Sequence, residues 1–260
     1  NNGSTIRFTG GIGGAQQINF SALSGSIIIE NLPIITGPGL FYFSGGNNDL
    51  GTNYLNVAGN VFSDAWIWQG GLLVLGAENA LPTNVNLTIG DPRSEGYNTR
   101  GTLDLNGHNQ RIGNLFPGWG FLASFVTNRS ATHATLTVVQ TSPANYLGQF
   151  SGNMSFEKRG PAELRLHADS FHSGATRILE GTLSLISNGA LSASSTIEIG
   201  AGAELAVTGR LDQTLTLNSG QTLKGEGTLR GGLIAGSGAV VAPGSSPGVL
   251  TVTGNVTLQS

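Results

Sequence analysis

Short bursts of strict alternation recur along the chain, and they limit its fold more than any other feature: Thr102-Leu103-Asp104-Leu105, Glu163-Leu164-Arg165-Leu166, Thr182-Leu183-Ser184-Leu185, Thr196-Ile197-Glu198-Ile199 and Thr214-Leu215-Thr216-Leu217. Period two places aliphatic side chains on one face and polar ones on the other, the pattern of a half-buried strand. No helical period is sustained. Clusters such as Gly45-Gly46-Asn47-Asn48, Asn106-Gly107 and Asn218-Ser219-Gly220 separate the bursts and read as turns. Strands at a spacing of about 8 to 12 residues make an all-β chain.

Sandwich, barrel and solenoid share that spacing, so internal repetition has to choose among them. The stretch from Leu55 to Leu115 can be laid on the stretch from Leu164 onward: Leu55-Asn56-Val57 on Leu164-Arg165-Leu166, and Phe62 on Phe171. After a one-residue insertion, Gly71 to Leu75 falls on Gly181 to Leu185, Ala80-Leu81 on Ala190-Leu191, and Ile89-Gly90 on Ile199-Gly200. A repeat of several strands and no helix predicts a β-solenoid, each coil burying its aliphatic face on its neighbours. Coils of about 20 to 25 residues stacked ~4.8 Å apart would give about eleven coils and a rod of roughly 50 Å. One β-helix over 1–260 is expected, with N-terminal coils in 1–50, a first repeat block with loop insertions in 51–150 and a second block in 151–260.

Composition fits this reading. Forty-one of the 260 residues are glycine and only 10% are charged, against averages of about 7% and 25%. Thr, Ser and Asn on outer faces would replace the charged surface of a compact domain, as in Thr135-Leu136-Thr137-Val138. A net charge of −3 with only two lysines, Lys158 and Lys224, removes the electrostatic footprint of a nucleic-acid binder. No apolar run approaches the ~20 residues that span a bilayer as a helix. There is no cysteine, hence no disulfide or thiolate metal site, which suits a secreted bacterial surface protein. The first residue is Asn with no leader pattern behind it, as expected of a mature chain or a fragment.

The segment from Phe156 to Leu185 resembles the autotransporter-associated β-strand repeat, a pattern of roughly K-x-G-x-G-x-L-x-L, a turn region, G-x-T and then G-T-L-x-L. Lys158, Gly160, Leu164, Leu166, Gly174, Gly181, Thr182, Leu183 and Leu185 fall on it. Ala162 departs from it where glycine is common, as does Arg177 after Thr176. Ala77 to Leu115 and Thr228 to Leu258 are similar to flanking segments of the same family, so the resemblance covers most of 51–260 and only loosely 1–50. It implies a right-handed parallel β-helix in a secreted or surface-displayed passenger. It implies no catalytic residues, because the shared pattern is turn glycines and core aliphatics.

Candidate chemistry is sparse. His167 and His172 are five apart, which on a strand means opposite faces; with Asp169 they read as two exposed histidines beside an ordinary loop, so no metal and no cofactor are expected. The 15 acidic residues are scattered without a pair suited to glycoside cleavage. Ser246 in Gly244-Ser245-Ser246-Pro247-Gly248 lacks the helix that a nucleophile elbow requires. No enzyme is expected. The densest charged cluster, Asp91, Arg93, Glu95 and Arg100, reads first as a solvated loop with weak surface pairs and is the best local candidate for a specific contact. Trp66 and Trp68 share a strand face, as do Phe41 and Phe43, while Phe116, Trp119, Phe121 and Phe125 form a third group; burial is the first expectation, with the rows plugging a coil end or packing under a loop, whereas exposed rows would stack on sugar rings or another subunit. The ligand candidates are therefore Trp66, Trp68, Asp91, Arg93, Arg100 and Trp119.

Both terminal coils of a solenoid expose unpaired backbone, and the strand pattern runs through Gly248 to Leu258. Self-association through terminal coils, or continuation into further repeats, is expected. The function expected is a structural stalk, adhesin or filament subunit at the cell surface; a carbohydrate-binding or carbohydrate-cleaving β-helix is the alternative, with surface glycans as partners.

Overall fold

A computed structural model of the chain describes residues 5–10, 12–13, 17–22, 25–31, 34–35, 39–45, 51–90, 100–118, 124–244 and 248–259. Among these there is no helix. The strands pair in parallel, those inside a sheet with one strand a coil earlier and one a coil later, which makes the fold a β-solenoid. The chain divides into two compact units, Asn1–Leu136 and Thr137–Ser260.

In the first unit one sheet stacks Thr5–Phe8, Ser26–Ile29, Thr52–Leu55, Gly71–Leu75, Gly101–Asp104 and Ser124–Asn128. A second stacks Gln17–Ser21, Leu40–Ser44, Asp64–Trp68, Asn86–Ile89 and Leu115–Pro117. The interior between them is aromatic at one end and aliphatic beyond. Phe20 lies against Phe8, Phe41 and Phe43 at centroid distances of 5.9, 6.1 and 5.7 Å, and Phe41 against Phe62 at 4.5 Å. Leu73, Leu87, Leu103 and Leu115 continue the stack, all fully buried.

In the second unit one sheet stacks Met154–Arg159, Ala175–Ile178, Thr196–Ile199, Thr222–Gly225 and Val240–Pro243. Another stacks Ala144–Tyr146, Leu164–Leu166, Thr182–Ser187, Glu204–Arg210, Thr228–Arg230 and Thr251–Val252, and a third Thr214–Leu217, Gly232–Ala235 and Val256–Leu258. Leu164, Leu183, Leu205 and Leu229 form one inward column, each 0% exposed.

Register is held while coil length varies. Thr222 sits over Val240, 18 residues on, whereas Gly71 sits over Gly101, 30 residues on. That range is wider than the expected 20 to 25, because residues are added between the paired strands without shifting the aliphatic columns; one more is absorbed inside a ladder, where the pairing of Thr182–Ser187 with Glu204–Arg210 shifts register between Ser184 and Ile186. The laid-over repeats agree with this packing: Leu73 and Leu75, like Leu183 and Leu185, are buried. One equivalence breaks. Phe62 is interior, but Phe171 is 52% exposed, because its neighbour His172 takes the inward position on that strand.

Corners explain the motif residues. Gly160 and Gly181 have φ of +77° and +64°, and a Cβ on either would lie 2.4 Å from the Gln140 carbonyl oxygen or 2.5 Å from that of Gly160; only glycine combines that conformation with that approach. Lys158 is fully buried, and its ammonium donates to the carbonyl oxygens of Gly160 at 2.5 Å and Glu180 at 2.8 Å. The lysine of the pattern thus clips two consecutive corners together.

Candidate functional site

Adjacent strands of the second sheet in the first unit carry their residues in columns, and parity decides which columns face outward. Ala65 and Ile67 are fully buried, so Asp64, Trp66 and Trp68 belong to the outer face. The same reasoning puts Phe41 and Phe43 inside, both 0% exposed, and Tyr42 outside. Register then assembles an outer row, Asn19, Tyr42, Trp66, Thr88 and Phe116. Tyr42 meets Trp66 edge to face at 5.2 Å and Trp68 at 5.5 Å. Trp66 and Phe116 remain partly exposed, whereas Trp68 is 6% exposed.

Two residues earlier along the same coils runs a polar row, with Asp64 and Asn86 on their strands and Asn114 just before Leu115–Pro117. Asn114 Nδ2 donates to Asn86 Oδ1 at 3.0 Å, and Asn86 Nδ2 donates to Asp64 Oδ1 at 3.1 Å. The Ser63 hydroxyl closes the row on Asp64 Oδ2 at 2.5 Å. Each amide donates one hydrogen along the row, and Asn86, still partly exposed, keeps a second N–H for another acceptor. A surface depression of about 440 Å³, lined by Asn60, Phe62, Ser63, Thr83 and Asn84 among others, reaches this row at Ser63. Aromatic faces beside amide and carboxylate groups offer apolar stacking and directed hydrogen bonds together.

Of the residues picked from sequence, the structure brings together Trp66 and Trp68. Arg100 is exposed, and its carbonyl accepts from the Gly70 amide at 2.8 Å, two residues beyond Trp68. Asp91, Arg93 and Trp119 lie outside the described residues, as do Glu95, Phe121 and Ser246. Tyr42, Asp64, Asn86 and Asn114 were missed. Their signal lies in register: laying Leu40–Ser44, Asp64–Trp68 and Asn86–Ile89 on one another aligns them, whereas no single strand distinguishes them.

The histidine expectation needs correction. His172 is fully buried, its Nε2 2.9 Å from the Thr176 hydroxyl and its ring edge-on to Phe150 at 6.3 Å. Burial pushes its pKa down to about 4, so the imidazole is neutral at pH 7. His167 stays near the surface, 3.0 Å from Asn145 Oδ1. Asp169, read as part of a loop, bridges to Ala190 and accepts from the Ser192 amide at 3.2 Å.

Inside the second unit, Gln221 donates to the Leu191 and Ser194 carbonyls, while Asn60 and Gln110 do the same work in the first. These buried amides satisfy corner backbone that the sheets leave unpaired. A second depression, of about 360 Å³, is lined by Glu198, Lys224 and Glu226 among others. No group of three metal-ligating side chains occurs among the described residues, and no described helix is long and apolar enough to cross a membrane.

The fold defines the chain as a β-solenoid whose first unit carries an aromatic and amide outer face. Comparison with protein-family models, with curated proteins and with solved structures finds no match.

Proposed function

We propose that the chain is a structural β-solenoid segment of a secreted or surface-displayed bacterial protein, a stalk, adhesin or filament subunit extended by end-to-end backbone pairing. One observation carries the reading. Val256 and Leu258 stand in register over Leu233 and Ala235, which are buried, yet they are 51% and 70% exposed. Their strand is paired with Gly232–Ala235 on one side only among the described residues. An aliphatic rung in register over a buried one is a surface that accepts another rung, of this chain or of a second copy, each coil being stabilised by its neighbour. The resemblance of Phe156 to Leu185 to passenger repeats supports the placement outside the cell.

Electron microscopy of the intact protein from its source tests this, beside sedimentation of wild type and the Val256→Asp, Leu258→Asp double variant. Filaments or extended assemblies, shortened or lost in the double variant, are expected. Concentration-independent single particles, unchanged by the variant, would overturn the reading. The rows through Trp66 and Asn86 favour a second reading, carbohydrate binding.

A further inference from the structure

The outer face of the second sheet in the first unit combines two rows that the coil geometry holds parallel. One is aromatic, Tyr42, Trp66 and Phe116, with Thr88 between the last two. The other is the hydrogen-bonded series Asp64, Asn86, Asn114. Both rows advance by one rung, ~4.8 Å, per coil, so an occupant that uses them runs along the coil axis and presents the same groups at intervals.

We infer that this face binds an extended, neutral polysaccharide lying along the coil axis, its pyranose faces against the partly exposed Trp66 and Phe116, with the buried Tyr42 ring backing Trp66, and its hydroxyls on Asn86, Asp64 and Asn114. The inference rests on the carbohydrate-binding reading and is independent of coil stacking. Three properties of the face select the class. The carbon-bound hydrogens of a pyranose ring are apolar and slightly positive, and they stack on the negative face of an indole. An amide with a free N–H beside a carboxylate accepts and donates at once, which suits neighbouring hydroxyls that do both. The single charged side chain of the two rows is Asp64, a carboxylate, which repels uronate, sulfate and phosphate polymers. The depression ending at Ser63 gives the chain of sugars room beyond the rows.

Affinity electrophoresis of the full chain decides the matter, in native gels cast with hydroxyethyl cellulose, with galactomannan or with polygalacturonate. Tryptophan fluorescence is followed in parallel with cellohexaose and mannohexaose. Retardation by at least one neutral polymer is expected, weakened about tenfold by Trp66→Ala and severalfold by Asn86→Ala. Trp66→Phe keeps most of the binding, and Leu211→Ala, at a 93% exposed position in the second unit, keeps all of it. Far-UV circular dichroism checks each variant; if Trp66→Ala does not fold, Asn86→Ala and the wild-type fluorescence response decide. Retardation by polygalacturonate alone, lost with Trp66→Ala, overturns the neutral class and leaves carbohydrate binding standing. Retardation undiminished in the Trp66 and Asn86 variants overturns the site. No retardation and no fluorescence response overturn both the site and the carbohydrate reading.

Discussion

A lysine ammonium shut away from water must find carbonyl oxygens or give up its proton. Lys158 does some of each: it holds the Gly160 and Glu180 carbonyls, and burial pushes its pKa down to about 8, partly opposed by the nearby Glu180 carboxylate. Lys158→Met removes the donor and leaves two corner carbonyls short of a partner, so a loss of about 2 kcal/mol is expected in denaturant melts. The pH dependence has a definite sign. Between about pH 8 and the ordinary lysine value near 10.4, the unfolded chain holds a proton that the folded chain has released. Stability therefore rises with pH across that window, and Lys158→Met flattens the rise. A slope equal in both proteins would mean that the ammonium is solvated. The motif position of Lys158 was legible in the sequence, but its work was not, since the oxygens it holds belong to backbone corners that no residue type announces. His172 misled for a related reason: a histidine beside a polar run reads as exposed until the edge-on packing of its ring against Phe150 is known.

Alternation makes single strands legible because one face of each is buried, and every burst singled out is a strand: Gly101–Asp104, Leu164–Leu166, Thr182–Ser187, Thr196–Ile199 and Thr214–Leu217. Pairing between strands is less legible, and the aromatic rows show why. Phe41 with Phe43 and Trp66 with Trp68 have the same spacing, yet one pair fills the interior and the other lies outside. Only the neighbours separate them: Phe20 in register with Phe43 continues an interior column, whereas Asn19 in register with Tyr42 continues an outer one. Register also builds a ladder of charge in the second unit. Glu157, Arg177, Glu198 and Lys224 occupy one outer column on consecutive coils. Glu198 Oε2 lies 3.4 Å from Arg177 Nε and 3.3 Å from Lys224 Nζ. Exposed pairs are weak, so Glu198→Gln is expected to cost only about 0.5 to 1 kcal/mol. Glu198→Lys, which stacks three cations, costs more. Urea melts at 20 mM and 1 M sodium chloride check this, since the cost shrinks as salt screens the column; a salt-independent cost would point to packing instead.

At the scale of the whole molecule, parallel pairing means that partners are always a full coil apart, with none of the local contacts a hairpin supplies. Folding is accordingly expected to be slow, and each coil to be a modular unit bounded by its register. The prediction is a deletion. Removing 196–221 joins Ser195 to Thr222, the register counterpart of Thr196, and brings Thr222–Gly225 beneath Ala175–Ile178. The shortened chain is expected to melt cooperatively with a β-type circular dichroism spectrum. Removing 196–208 severs the coil midway, puts aliphatics on the wrong face and is expected to abolish the transition; equal behaviour of the two deletions would refute modular coils. The repeat that argues for such coils was visible in the sequence from Leu55 and from Leu164, while the outer face of the first unit was visible only in part, through Trp66 and Trp68.

Unequal spacing between fixed rungs has a further consequence. Thr196 and Thr222 are 26 residues apart and Thr222 and Val240 only 18, yet all three stand in one column. Insertions and deletions at the corners therefore leave the ladder unchanged, and point changes on the outer columns leave the inner ones unchanged. Selection acting on what such a protein touches is thereby uncoupled from selection on whether it folds, so a lineage can rewrite its exterior quickly while its interior drifts slowly.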